Sequence, residues 1–163
     1  MIEKVENTVK IPSSEYTVVK WKTSDGREFD ERHESLARER EEAYQKYKAA
    51  TKGKIFYGIS DEMAHTFLFL EQGSYAYIEH LFWFRPESDQ DVEDLDGYFR
   101  KDCYSFIFNG HCFEIGEWNL VILAREEGSC RDSYYTEVFP RSKVLEILNS
   151  LIEEVPGEDE NGH

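Results

Sequence analysis

Alternation of large apolar and smaller positions is clearest in Tyr104–Phe108 and His111–Ile115, on either side of Asn109-Gly110. This two-residue period is typical of a half-buried strand. Asn-Gly tolerates the positive φ angles of a type I′ turn, so the stretch predicts a β-hairpin. The next run, Trp118–Ala124, is apolar on both alternations, which indicates a central strand covered on both faces.

Shorter alternating or aromatic-rich runs predict further strands. They lie at residues 16–22, 27–29, 54–59, 65–71, 75–84 and 134–139. In the fifth of these runs, strict alternation would place Ile78, His80 and Phe82 on one face. Periodicity leaves both helix and strand open for residues 62–84, and aromatic enrichment favours a strand in the second half.

Three stretches instead carry apolar residues at helical spacing. Two longer helices are predicted at about 30–50, with Asp30 as N-cap, and at about 142–155. A short acidic helix is predicted at about 89–100, and Ser88 or Asp89 can cap it. The interpretation is a single α+β domain spanning residues 15–156, with one antiparallel sheet of five to seven strands packed by the helices. Residues 1–14 are expected to be a loose lead-in, and 157–163 an acidic tail.

Composition adds limits on location and partners. No apolar run approaches the ~20 residues of a membrane span, and the first residues lack the apolar stretch of a signal peptide. The three cysteines, Cys103, Cys112 and Cys130, form no paired spacing, which favours a reducing compartment. We therefore expect a cytoplasmic protein with no membrane partner and an oligomeric state that the sequence leaves open.

Charge is uneven along the chain, whose net formal charge is -15. Residues 1–60 hold 12 Lys and Arg against 11 Asp and Glu, whereas residues 61–163 hold 7 against 23. A surface this negative repels nucleic acid and attracts basic proteins. The charge is also compatible with a plain solubility role for an aromatic-rich protein.

The most acidic internal segment yields the candidate partner-binding residues. Its six carboxylates over ten positions could present a phosphate-like row to a basic or DNA-binding protein; an ordinary solvated helix face is the alternative. The candidates are Glu87, Asp89, Asp91, Glu93, Asp94 and Asp96.

Signatures of catalysis and ligation are weak. The sequence contains no P-loop, no G-x-G-x-x-G after a strand, no G-x-S-x-G and no H-E-x-x-H. His65 and the pair Glu79-His80 are possible acid–base residues, although a structural role is the simpler interpretation. We predict no catalytic residue, no metal and no cofactor, and the question of enzymatic activity stays open, leaning towards none.

One segment resembles a known group of proteins. Residues 16–41 contain a strand, Asp25-Gly26, Phe29 and the start of a helix, an arrangement similar to that in many small bacteriophage accessory proteins. The resemblance implies a phage origin and a role in host takeover or counter-defence. It carries over no active-site residues.

Three functions are therefore expected in order of preference. The first is a non-enzymatic acidic protein of phage type that binds and inhibits or redirects a host protein, with nucleic-acid mimicry as one mode. The second is a protein that binds or degrades a small ligand, such as a nucleotide signal, in an aromatic pocket drawing on residues such as Tyr57, Trp83 and Arg125. The third is a structural or assembly accessory.

Overall fold

The computed structural model describes residues 1–11, 14–58, 60, 63–64, 66, 77–106, 112–126 and 133–153. In these ranges seven strands occur, β1 Glu3–Ile11, β2 Ser14–Lys22, β3 Glu28–Asp30, β4 Ile55–Phe56, β5 Tyr77–Phe84, β6 Asn119–Glu126 and β7 Ser133–Pro140. The helices with bounds in the same ranges are α1 Glu34–Thr51, α2 Asp89–Phe99 and α3 Arg141–Glu153. Short 3₁₀ turns at Glu31–His33 and Arg100–Asp102 precede α1 and follow α2.

The strands divide between two antiparallel sheets rather than forming one. The first has the order β1-β2-β3 and the second the order β4-β5-β6-β7. The α+β fold class is confirmed, as are two longer helices and a short acidic one between them. None of the helices in the described part of the chain is long and apolar enough to cross a membrane.

Strand β6 lies at the centre of the second sheet, as its doubly apolar sequence predicts. Six consecutive residues, Asn119–Ala124, are buried, because each face of the strand meets a different apolar cluster. Leu120, Ile122 and Ala124 pack with Val144 of α3. The alternate residues Val121 and Leu123 pack with Leu95 and Phe99 of α2.

The expectation of a loose N-terminal lead-in is wrong for residues 3–11, which form β1. The strand pairs along its whole length with β2, from Glu3 opposite Lys22 to Ile11 opposite Ser14. The prediction missed it because charged and polar residues interrupt its apolar positions, and such a strand forms when a neighbour supplies the hydrogen bonds.

The hairpin prediction is wrong for its arms within the described residues, since 104–106 and 112–114 are not in strands. The turn at Asn109-Gly110 and the acidic tail at 157–163 lie outside those residues. Two aromatic residues of the first arm are nevertheless buried, Tyr104 and Phe106, and the Phe106 ring centroid lies 5.6 Å from that of Phe113. Of the predicted strand at 65–71, only Thr66 is described, and it is helical.

Candidate functional site

A β-bulge in β5 turns two polar side chains towards the helices α1 and α2. The register with β6 shifts between Ile78 and His80, so Glu79 is the extra residue. Because of this shift Ile78 packs in the α3-side cluster, whereas the His80 ring contacts Phe99 of α2 at 5.1 Å between centroids. The predicted alternation that put Ile78 and His80 on one face is therefore wrong, since a bulge reverses it.

Beside His80 lies an open cleft of about 380 Å³, a size within the ordinary range of ligand pockets. Helix α1 contributes Tyr44 and Tyr47, helix α2 contributes Tyr98, and Tyr57 follows β4. The Tyr47 and Tyr98 rings stack with centroids 4.4 Å apart. The residues lining this tyrosine cleft are Ser24, Asp25, Tyr44, Tyr47, Tyr57, His80, Phe82, Tyr98 and Phe99.

His80 supplies the titratable nitrogen of the cleft. His80 is exposed as a residue, but its ring packs edge-to-face against Phe99 and Tyr104. The loss of water on the packed side lowers the pKa of His80 below its ordinary value, although the carboxylates of Glu79 and Asp102 act in the opposite direction. The imidazole is therefore neutral at pH 7, with one nitrogen able to donate and the other able to accept.

A buried ion cluster supports the wall of the cleft formed by Tyr98. The Arg40 guanidinium lies 4.2 Å from the centroid of the Tyr98 ring, and its Nε donates to Asp25 Oδ2 at 2.6 Å. A second carboxylate, Asp102, lies 3.1 Å from Arg40. The Tyr98 hydroxyl donates to Asp25 at 3.3 Å, so the turn between β2 and β3 is tied to both helices.

The charges in this cluster are stabilised in their ionised forms. The side chains of Arg40 and Asp25 are each only 4% exposed. Burial raises the pKa of a carboxyl group, but the hydrogen bonds that Thr23 and Arg40 donate outweigh it and hold the pKa of Asp25 below its ordinary value. The cluster therefore positions Tyr98 without leaving Asp25 free for a ligand.

Glu79 is similarly engaged within the protein. The Tyr104 hydroxyl donates to Glu79 Oε2 at 2.7 Å, and Arg125 lies 3.1 Å from its other oxygen. Burial, followed by this hydrogen bond, raises the pKa of Tyr104. The Glu79-His80 pair predicted as possible acid–base chemistry thus lies on the cleft side of the sheet, but only His80 lines the cleft.

The acidic candidate residues do not form one surface. Glu87, Asp89 and Glu93 are exposed and Asp94 is half-buried. Only Glu93 and Asp94 line a groove of about 360 Å³ between α1 and α2, together with Glu39 and Glu42 of α1 and the lysines Lys46 and Lys101.

Asp91 and Asp96 have structural roles instead. Asp91 lies 2.8 Å from the Lys54 ammonium and accepts from the Glu87 backbone N–H at 2.8 Å. Although burial opposes ionisation, these bonds hold the pKa of Asp91 below its ordinary value. Asp96 is fully buried and accepts from the Phe106 backbone N–H at 2.6 Å, so it belongs to the core.

Cysteine and metal chemistry receive no support in the described ranges. Cys103 and Cys112 are exposed, and Cys130 lies outside those ranges. No group of three His, Cys, Asp or Glu side chains among the described residues is arranged to hold a metal ion.

Sequence reasoning named Tyr57, Glu79 and His80 but missed Tyr44, Tyr98 and the cleft itself. Its lining comes from five separate segments of the chain. Because these segments are far apart along the chain and share no periodicity, a single sequence does not indicate that they line one cleft. Trp83 and Arg125, which were also named from the sequence, lie away from the cleft: Trp83 faces the other side of the sheet, and Arg125 pairs with Glu79.

Comparisons with known proteins give no family for this chain. No protein-family model, no curated protein and no solved structure matches it. The resemblance of residues 16–41 to phage proteins consequently stays a prediction.

Proposed function

We propose that the tyrosine cleft binds a small ligand with an uncharged planar ring of nucleobase size. The observation that carries this proposal is the convergence of Tyr44 and Tyr57 with neutral His80 beside one opening. Tyr98 forms a supporting wall, since Tyr47 and Arg40 cover the faces of its ring. Aromatic faces stack on planar rings, and each such contact with a base contributes about 1–3 kcal/mol. Tyrosine hydroxyls and an imidazole supply donors and acceptors to orient the ring.

Charge decides which part of a nucleotide the cleft suits. The lining contains no lysine or arginine, and the net charge of -15 repels anions at long range. A polyphosphate would therefore enter without a cationic partner. Of the expected nucleotide-signal ligands, a nucleoside or another uncharged ring therefore fits the cleft best, and binding is favoured over phosphate chemistry.

We expect Tyr57→Ala to weaken adenosine binding by about tenfold, because a stacking face is lost. The Tyr57 side chain is 66% exposed, so its removal leaves the fold intact. Ligand-observed NMR titrations with adenosine and adenosine triphosphate measure both affinities, and adenosine should bind more tightly.

The matched control is Tyr77→Ala, since Tyr77 is 69% exposed and lies on β5 outside the cleft lining. Its affinity for adenosine should equal that of the wild type. Equal losses in the two variants, or a triphosphate affinity that exceeds that of adenosine and falls in Tyr57→Ala, would contradict the assignment.

The second proposal is the acidic interaction function, in which the groove between α1 and α2 attracts a basic partner. The observation that supports it is that Glu93 and Asp94 of α2 line the groove together with exposed Glu39 and Glu42 of α1, so that its lining holds four carboxylates against the two ammonium groups of Lys46 and Lys101. The resemblance to phage proteins favours a host protein as this partner, bound for host takeover or counter-defence in the host cytoplasm.

The double variant Glu93→Gln, Asp94→Asn, which neutralises two carboxylates of the groove, should associate more slowly with a host protein recovered by pull-down, while its dissociation changes less. Steering by exposed charges acts on the encounter and is screened over about 8 Å at physiological ionic strength. Surface plasmon resonance at low and high salt measures both rates. Asp91 and Asp96 are left unchanged because they support the fold.

A charge-matched control replaces Glu114 and Glu117 with Gln, two residues that are exposed and lie outside the groove. If this control slows association as much as the groove variant does, net charge alone acts and the groove has no specific role. An unchanged on-rate in the groove variant would reject the acidic interaction proposal.

A further inference from the structure

A second aromatic site lies on the opposite face of the β4–β7 sheet, at the end where α3 begins. Phe56 of β4 is directly opposite Trp83 of β5, and Trp83 packs on the α3-side cluster. Trp118 immediately precedes β6. These three rings and Arg141 line a cavity of about 200 Å³. Phe56 and Tyr57 are consecutive, so their side chains lie on opposite faces of the sheet. The cavity lined by Phe56, Trp83, Trp118 and Arg141, here called the tryptophan pocket, is therefore separate from the tyrosine cleft.

Two arginines flank the tryptophan pocket. The Arg85 guanidinium lies 5.7 Å from the centroid of the Trp118 ring. The Arg141 side chain lines the cavity, and its backbone N–H donates to the Trp118 carbonyl at 2.9 Å. Both side chains are exposed.

Neither arginine has a carboxylate partner among the residues that the structure describes. In a protein with a net charge of -15, most guanidinium groups find one: Arg27, Arg38 and Arg40 all do. The pocket lining itself contains no carboxylate. Arg85 and Arg141 thus leave cationic hydrogen-bond donors available beside three aromatic rings.

We propose that the tryptophan pocket binds a planar aromatic ring that carries one anionic group, the chemistry of a nucleoside monophosphate. The ring lies against Trp83, Trp118 and Phe56, and the phosphate accepts hydrogen bonds from Arg85 and Arg141. Guanidinium groups match phosphate oxygens in geometry and charge. The proposal does not depend on the function of the tyrosine cleft, which offers no cation.

Gly58 positions the outer ring of the pocket. A Cβ at this residue would overlap the Phe56 ring. Since Phe56 is 57% exposed, its ring can swing away from a new methyl group without disturbing the core. Gly58→Ala therefore displaces one wall of the pocket and leaves both tryptophans and both arginines in place.

Tryptophan fluorescence reports on this site directly, since two of the three tryptophans line it. The third, Trp21, lies on β2 of the other sheet, where its indole N–H donates to the Glu31 backbone carbonyl at 2.9 Å. The substitution Trp21→Phe removes its background fluorescence. Titration of this variant with adenosine 5′-monophosphate should give saturable quenching. Adenosine, which lacks the phosphate, should bind this pocket about tenfold more weakly or not at all.

Arg141→Gln and Arg85→Gln should each lower the affinity for adenosine 5′-monophosphate by about tenfold. The control Arg32→Gln, at a remote and exposed residue, should leave this affinity unchanged. Gly58→Ala should weaken binding at an unchanged unfolding midpoint. Tyr57→Ala, which impairs the tyrosine cleft, should leave the quenching by the monophosphate unchanged. The proposals for the two sites are therefore tested independently.

Four results with adenosine and its monophosphate would overturn the proposal. They are the absence of saturable quenching, equal quenching by adenosine and its monophosphate, an equal loss in Arg32→Gln, and unchanged affinity in Gly58→Ala. Quenching by a single-stranded oligonucleotide but not by the mononucleotide would also reject it, in favour of a nucleic-acid surface.

Discussion

Arg40→Met is expected to lower the free energy of unfolding by about 3–5 kcal/mol, because it leaves a buried carboxylate without its counter-ion. The Arg40 and Asp25 side chains are each 4% exposed, so water cannot replace the lost partner. The cation–π contact with Tyr98 is lost as well. Urea unfolding followed by circular dichroism measures the change, and adenosine binding should weaken with it as Tyr98 loses its support.

The pH dependence of this loss has a definite sign. In the wild type the pKa of Asp25 is held below its ordinary value, so the stability it contributes is present above its unfolded pKa of about 4 and lost as the pH falls through the lower folded pKa. Without Arg40 that contribution disappears. The gap between variant and wild type should therefore be full at pH 7 and should narrow below about pH 4.

Arg38→Met is the matched control for Arg40→Met, two residues earlier on the same helix. Its side chain is 65% exposed and pairs with Glu34 four residues away, and such surface pairs contribute at most about 1 kcal/mol. Similar losses in the two variants would mean that the ion cluster around Arg40 is not buried in solution.

Asp96→Ala is expected to lower the free energy of unfolding by about 3 kcal/mol, because a buried donor loses a charged acceptor. Asp96 accepts from the Phe106 backbone N–H at 2.6 Å and from the Ser105 hydroxyl at 3.1 Å. These bonds fasten the segment after α2 over the aromatic core. Thermal or chemical unfolding measures the loss.

Glu93→Ala, one turn earlier on α2 and exposed, should change stability by about 0.5 kcal/mol or less. The contrast separates a core carboxylate from a solvated one within the same acidic segment. If Asp96→Ala were equally mild, Asp96 would be solvated after all and would return to the set of candidate partner-binding residues.

Local patterns predicted the elements whose environment is uniform along their length. The doubly apolar run at 118–124 became the buried centre of β6, and Ser88 caps α2 through its hydroxyl, which accepts from the Asp91 N–H at 3.3 Å. Asp30, the other predicted cap, makes no such side-chain bond. Periodicity works for the first two because burial on a strand or helix face depends on near neighbours in sequence.

The same patterns could not predict where individual polar residues would lie. Six carboxylates in 87–96 look alike in sequence, yet Asp96 is buried and Glu93 is exposed. The difference arises from Phe106, ten residues beyond Asp96, whose backbone N–H requires an acceptor inside the core. A buried donor of this kind is satisfied by whichever group the packing brings to it.

The sequence by itself determined the α+β class, the central strand, the amphipathic helices and the negative charge, because each depends on composition or on a short repeat. Tertiary structure decided the rest. The bulge at Glu79 brought His80 to the face where Tyr98 of α2 lies, and the end of the β4–β7 sheet brought Arg85 and Arg141 to Trp118. These groups come from separate segments that contact one another only when the sheets and helices pack, so local periodicity in the sequence does not predict their contacts.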